Sequence, residues 1–156
     1  MRYRLYRPDD FTALYVIEEL CFQPPLRFGR RYMRQLVDSP SNVTWIALEG
    51  DAMSGFGIVE PVETRQGRRA YIPTLEVAPA MRRHGVGQEL LRRLERSAAR
   101  SKAGSIWLHV DTANAAAIRL YESEGFLLAG RATGFYDEGR DAFLYGKQLE
   151  AQAPRA

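Results

Sequence analysis

The chain has 156 residues, of which 46% are hydrophobic, 26% charged and 11% aromatic, a balance that excludes a disordered chain, a fibrous repeat and a disulfide scaffold. Its length suits one domain over residues 1–150, and a net charge of +3 is too small to indicate a nucleic-acid partner. One cysteine and two histidines imply a reducing compartment and no metal site, and no apolar run spans a bilayer, so a cytoplasmic protein without a membrane partner is expected.

Residues 1–7 alternate as a strand and end at Pro8-Asp9-Asp10, where Asp9 or Asp10 is placed to cap a helix with Phe11, Leu14, Ile17 and Cys21 on its apolar face. Pro24-Pro25 stops that helix, and a second is expected over 30–37. Strands follow at 43–48 and 54–62, joined at Gly50-Asp51, and the polar run 63–69 reads as a loop before a strand at 70–77. The helix at 85–101 is the clearest in the chain. Val86, Leu90, Leu91, Leu94 and Ala98 form its stripe, and Arg92, Arg93, Arg96 and Arg100 read as its solvated face. A short apolar strand at 105–110 precedes an alanine-rich helix at 115–124, with Asn114 among its candidate caps and Gly125 at its end. Strands at 126–136 and 142–148 close the domain, and 151–156 reads as a frayed tail. This order gives a mixed α/β (α+β) fold, a sheet covered by helices.

Arg82-Arg83-His84-Gly85-Val86-Gly87 lies between a strand and the start of the best helix. Unpaired N–H groups and the positive end of the dipole make a helix N-terminus an anion site, and two glycines let a diphosphate approach the backbone. Arg82 and Arg83 are placed to add charge-assisted bonds. A plain turn explains two glycines equally well, and no full dinucleotide fingerprint follows the first strand.

In its context the segment resembles the acyl-CoA pyrophosphate loop of the GNAT superfamily of N-acetyltransferases, Gln/Arg-x-x-Gly-x-Gly/Ala. The resemblance covers nearly the whole chain and is closest to the RimI-like branch, which acetylates protein N-termini. Trp107-Leu108-His109-Val110, Asn114 to Glu122, Gly125-Phe126 and Phe135-Tyr136-Asp137 resemble that branch's later motifs. It implies a mixed, mostly antiparallel sheet of six to seven strands with about four helices, in which the strands ending at Val77 and Val110 are parallel and splay to admit a pantetheine arm. Acetyl-CoA is the implied cofactor, held by Val77, Ala78, Pro79, Arg82, Arg83, His84, Gly85, Val86, Gly87 and Gln88, then by Asn114, Ala117 and Tyr121. For Asn114 a plain N-cap role is the alternative, and the two roles are compatible.

Acetyl transfer from a thioester to an amine needs a neutral amine, donors for the charge that builds on the carbonyl oxygen, and a proton for the departing sulfur. The resemblance makes Tyr121 the general acid, against a core tyrosine by spacing alone. His109 stands where RimI-like enzymes place a catalytic glutamate. The same Leu-His-Val setting occurs in a eukaryotic N-terminal acetyltransferase branch, paired with a tyrosine that aligns with Tyr71. Imidazole suits a base at neutral pH, directly or through water. Glu76 is the competing base, or else a solvated or substrate-contacting carboxylate, and the Val77 N–H is the candidate donor to the carbonyl.

By resemblance, specificity resides in the first helix–loop–helix, about 20–32, and the last hairpin, about 135–141. Phe22, Pro25 and Leu26 are the candidates in the first, where Pro24-Pro25-Leu26 replaces a Pro-Trp-like element of RimI-like enzymes. Phe135 and Tyr136 in the second resemble a tyrosine pair that clamps a peptide backbone. Glu19, Glu76 and Asp141 are candidate receivers of a cationic amine, or ordinary surface charges. The expected acceptor is a protein or peptide N-terminus and the expected assembly a monomer or homodimer. The rivals are a small-amine acetyltransferase and an acyl-CoA sensor without turnover.

Overall fold

The first strand, β1 (Arg2–Leu5), is tied to the turn after it by Asp10, whose carboxylate takes both Arg4 guanidinium nitrogens at 2.7 and 2.8 Å and the Arg7 N–H at 2.7 Å. Asp10 does precede α1 (Phe11–Cys21), but its side chain caps nothing there, because the arginine behind it outcompetes a backbone N–H. The structure is a computed structural model that describes residues 1–149; the expected tail lies outside them. Helix α1 buries Phe11, Leu14, Tyr15 and Ile17 and, in the same stripe, Glu18, while α2 (Arg30–Asp38) buries Met33 and Leu36.

Next come β2 (Val43–Glu49), β3 (Ala52–Thr64) and β4 (Gly67–Val77). The expected loop 63–69 shrinks to Arg65 and Gln66. The Thr64 hydroxyl donates to the Gly67 carbonyl at 2.7 Å and accepts from the Gln66 N–H at 3.2 Å, and Gly67 takes φ +110°, so a tight turn lets polar residues on both sides stay in strands. Then follow α3 (Val86–Arg100), β5 (Ser105–Asp111), α4 (Ala115–Ser123), β6 (Leu127–Asp137) and β7 (Arg140–Gln148). No helix among the described residues is long and apolar enough to cross a membrane.

The seven strands are ordered β1-β2-β3-β4-β5-β7-β6, mostly antiparallel, with β4 and β5 as the parallel pair. That pairing joins Ala70, Tyr71 and Ile72 to Ile106, Trp107 and Leu108. Pro73 comes next and has no N–H to continue the ladder.

The chain divides into two compact units, Met1–Val59 with Thr74–Leu94, and Glu60–Pro73 with the residues from Glu95 onward. In the first, α1 and α2 bury their apolar faces against Ile46, Leu48, Phe56 and Ile58, and Val86 and Leu90 pack with Ala47. Leu90, Leu91 and Leu94 are wholly buried, each contributing about 1.5–3 kcal/mol. Arg93 is not simply solvated, as the sequence suggests: it pairs with Glu89 at 2.9 Å and lies 4.8 and 4.9 Å from the rings of Tyr3 and Trp45. In the second unit Ile106, Leu108, Val110, Tyr121, Phe126 and Tyr145 are buried. Trp107 lies flat on Gly146, where any Cβ would collide with its ring.

Candidate active site

The loop from β4 to α3 is the one expected to hold an anion. Arg83 and Gly85 both have positive φ, +68° and +77°, so the backbone curls there. The space over Gly85 is open, with nothing within 4 Å of a hypothetical Cβ, and the N–H groups from Arg83 to Gly87 have no acceptor among the described residues. Donors without acceptors at the start of a 15-residue helix fit a diphosphate. Arg82 makes two contacts of its own. Its Nε donates to the Val77 carbonyl at 3.1 Å and a terminal nitrogen reaches Cys21 Sγ at 3.5 Å, so it braces the strand end. The Cys21 thiol donates to the same carbonyl at 3.4 Å, and the Ala78 N–H binds Ser54. Burial pushes the thiol up to about 11, so Cys21 stays protonated as a donor.

In the second unit Tyr71 on β4 meets His109 on β5. The phenol oxygen lies 2.7 Å from His109 Nδ1. The other face of the imidazole stacks on Phe135, with centroids 4.2 Å apart at 20°, and Phe135 in turn meets Tyr136 edge-on at 4.9 Å. Burial lowers the His109 pKa, because losing water disfavours imidazolium. The ring therefore sits neutral near pH 7, oriented at Nδ1 and flanked on one side by an aromatic wall. The Tyr136 phenol is pushed up to about 12 by burial and by the charge of Asp111, so it remains a hydrogen-bond donor. Asp111 is held by Arg140 at 2.6 Å.

The remaining candidates divide. Asn114 caps α4, its Oδ1 accepting from the Ala117 N–H at 3.2 Å, so the plain cap role is present. Tyr121 is buried, with its ring 5.8 Å from Phe126. Phe22 and Leu26 are half-buried and Pro25 is exposed in the loop between α1 and α2, which Arg27 fixes by donating to the Phe22 and Glu19 carbonyls. Asp141 is not a free receiver of an amine. It binds Arg131 at 2.9 Å and the Gly134 N–H at 2.8 Å, which hold its carboxyl below the usual range.

Glu76 corrects the sequence reading most sharply. It is 3% exposed, so it is not a solvated carboxylate. Thr74 donates to its Oε2 at 2.6 Å, and its pKa is raised well above the carboxylate range by burial first, then by the hydrogen bond its protonated form gives to Glu18 and by that residue's charge. Sequence reasoning missed Glu18 as a partner. The signal was present: Glu18 stands four residues after Leu14 and three before Cys21, at core spacing on an apolar face.

Comparison with known proteins agrees with this geometry. Residues 11–126 match the acetyltransferase (GNAT) family. The chain is 35% identical over 94 residues to the streptothricin acetyltransferase of Streptomyces lavendulae, an alignment covering 60% of this chain and only 49% of that protein. It is 31% identical over 121 residues to the N-alpha-acetyltransferase RimI of Mycobacterium tuberculosis, covering 77% of this chain and 72% of the relative. Among solved structures, Arabidopsis thaliana NAA60 in complex with a bisubstrate analogue superposes with a TM-score of 0.85 at 24% identity, covering 97% of this chain and 99% of that one. The ribosomal-protein-S18-alanine N-acetyltransferase of Escherichia coli gives 0.82 at 23% identity, covering 99% of each chain. With that family match, its sheet order and its parallel β4–β5 pair, the chain belongs to the GNAT family of acetyltransferases, for which acetyl-CoA is the cosubstrate.

Proposed function

We propose that this acetyltransferase modifies the N-terminal α-amine of a protein or peptide, with His109 as the base. One observation carries the reading: Tyr71 oxygen and His109 Nδ1 are 2.7 Å apart, beneath an aromatic wall that keeps the imidazole neutral. A base must be unprotonated before it can act, and an α-amine with pKa about 8 is mostly ammonium at pH 7. With Nδ1–H donating to the Tyr71 oxygen, Nε2 presents its lone pair and takes the proton, directly or through water. Bound acetyl-CoA supplies a thioester carbon for the freed amine. Tyr121 is the proposed donor to the departing sulfur and Tyr136 a donor to the acceptor's backbone. The N–H groups of residues 83–87 hold the diphosphate, with Val77, Ala78, Asn114 and Ala117 as further contacts.

Support for a peptide acceptor comes from the Phe135–Tyr136 pair and from the similarity to the mycobacterial RimI. The 35% identity to streptothricin acetyltransferase favours a second reading, a small-molecule amine. Thiol release from acetyl-CoA, followed over a panel of short peptides with free N-termini and a panel of small amines, separates the two. Peptide-dependent release is expected. Release with small amines alone overturns the peptide reading, and tight acetyl-CoA binding without any release overturns both.

A further inference from the structure

Two glutamates are sealed in the first unit where α1 meets the end of β4. Glu18 is 0% exposed and Glu76 3%. Each carboxylate has one oxygen satisfied: Glu18 Oε2 accepts from the Phe28 N–H at 3.0 Å and Glu76 Oε2 from the Thr74 hydroxyl at 2.6 Å. Each has one oxygen, Oε1, with no donor among the described residues. Two buried acceptors cannot satisfy one another, and two buried like charges repel strongly. A single proton between them removes both problems, since one carboxyl becomes the donor its neighbour lacks.

We propose that Glu18 and Glu76 share one proton and so act as a positioning clamp, pinning α1 to the end of β4 and fixing the corner from Val77 to Arg82. The geometry at that corner is what gives the clamp a consequence. Cys21 lies one turn after Glu18 on α1 and donates to the Val77 carbonyl at 3.4 Å, the atom that also takes Arg82 Nε at 3.1 Å. The helix therefore grips adjacent residues of β4, Glu76 through the carboxyl pair and Val77 through the thiol. Directly beyond them the chain enters the anion-binding turn. The groups facing Glu76 are Glu18 and the Cys21 thiol from α1 and the Thr74 hydroxyl from β4, with Arg82 reaching the corner through Cys21 Sγ. Losing the shared proton leaves two negative charges in a dry site, pushes α1 from β4 and loosens the turn. The clamp's effect on cofactor rests on the acetyl-CoA reading above; the shared proton does not.

The test is carbon NMR of the glutamate carboxyl resonances in the full wild-type chain, from about pH 4 to about pH 10. It is joined by unfolding temperatures and by KM for acetyl-CoA, each against pH, in wild type and in Glu76→Gln, whose amide donates to Glu18 at every pH. One glutamate carboxyl is expected to keep its proton through the ordinary range and titrate well above it, and to vanish in Glu76→Gln. Over that interval the unfolding temperature falls further with rising pH, and KM for acetyl-CoA rises further, in wild type than in the variant. A wild-type spectrum in which every glutamate titrates in the ordinary range overturns the shared proton; it needs no turnover and no variant, so it is distinct from a failure of acetyl transfer. KM values that move in parallel in the two proteins overturn the positioning role.

Discussion

Two clusters in this molecule are shifted by one force to opposite chemical ends. In the first unit burial raises the Glu76 pKa, and in the second burial lowers that of His109; both shifts favour the neutral form, because water stabilises charge. The difference lies in access. Glu76 is closed in by Thr74 and Glu18, so its proton is held. His109 is only half-buried, tied at one nitrogen and stacked on one face, so a neutral imidazole keeps an edge with which to exchange protons. The same desolvation holds a proton in one place and, on the function proposed above, readies a base in the other.

The largest break in that comparison is His109→Ala. Removing a general base costs about 10²–10⁴-fold in turnover, whereas acetyl-CoA binding, which this reading assigns to other residues, should hold to within about twofold. Steady-state kinetics and calorimetry on the same preparation check both halves. Unchanged turnover removes His109 from the mechanism. Tyr71→Phe comes next. It deletes the hydrogen bond at Nδ1 and leaves the ring, so turnover should fall about tenfold, the equivalent of about 1.4 kcal/mol of lost orientation. A variant as damaged as His109→Ala would mean that the phenol, and not the imidazole, takes the proton.

The clusters also couple stability to pH with opposite signs. His109 has a folded pKa below its unfolded value near 6.5, so the unfolded chain binds the extra proton, and stability is lost as pH falls below about 6.5. Glu76 has a folded pKa above its unfolded value near 4.5, so the folded chain binds the extra proton, and stability is lost as pH rises from there through the raised value. The two windows overlap between about pH 4.5 and about 6.5, where the slopes oppose. Denaturant midpoints there should fall more steeply with rising pH in His109→Ala than in wild type, and less steeply in Glu76→Gln; a variant whose slope changes the other way would overturn the assignment.

Most of the fold was legible because the signals were local. The stripe of Leu90, Leu91 and Leu94, the cap at Asn114 and the left-handed Gly125 each answer to residues within one turn of themselves. The errors came where distant residues decide. Polar residues at 63–69 read as a loop because nothing local reveals that Thr64 and Gly67 close a turn and keep both strands running. Arg93 read as solvated because its aromatic partners, Tyr3 and Trp45, are far away in sequence. In the candidate site, the Tyr71–His109 pair was reached through the family's pattern and is met in the structure. Glu76 was misjudged because a carboxylate beside a strand end looks accessible until α1 is laid across it.

Phe135→Leu sharpens the comparison with the smallest effect. The ring of Phe135 is itself 45% exposed, yet it shields one face of the His109 imidazole at 4.2 Å and so contributes to the desolvation that keeps the base neutral. Leucine retains an apolar contact but covers less of a flat ring, so water returns to that face and the His109 pKa moves back toward 6.5. At about pH 6 more of the imidazole is then protonated, and turnover drops by roughly twofold to threefold, while near pH 8 the variant matches wild type. Ring-proton NMR of His109 against pH reads the shift directly. A midpoint that stays in place while turnover drops at every pH would assign Phe135 to holding the acceptor, not to drying the base.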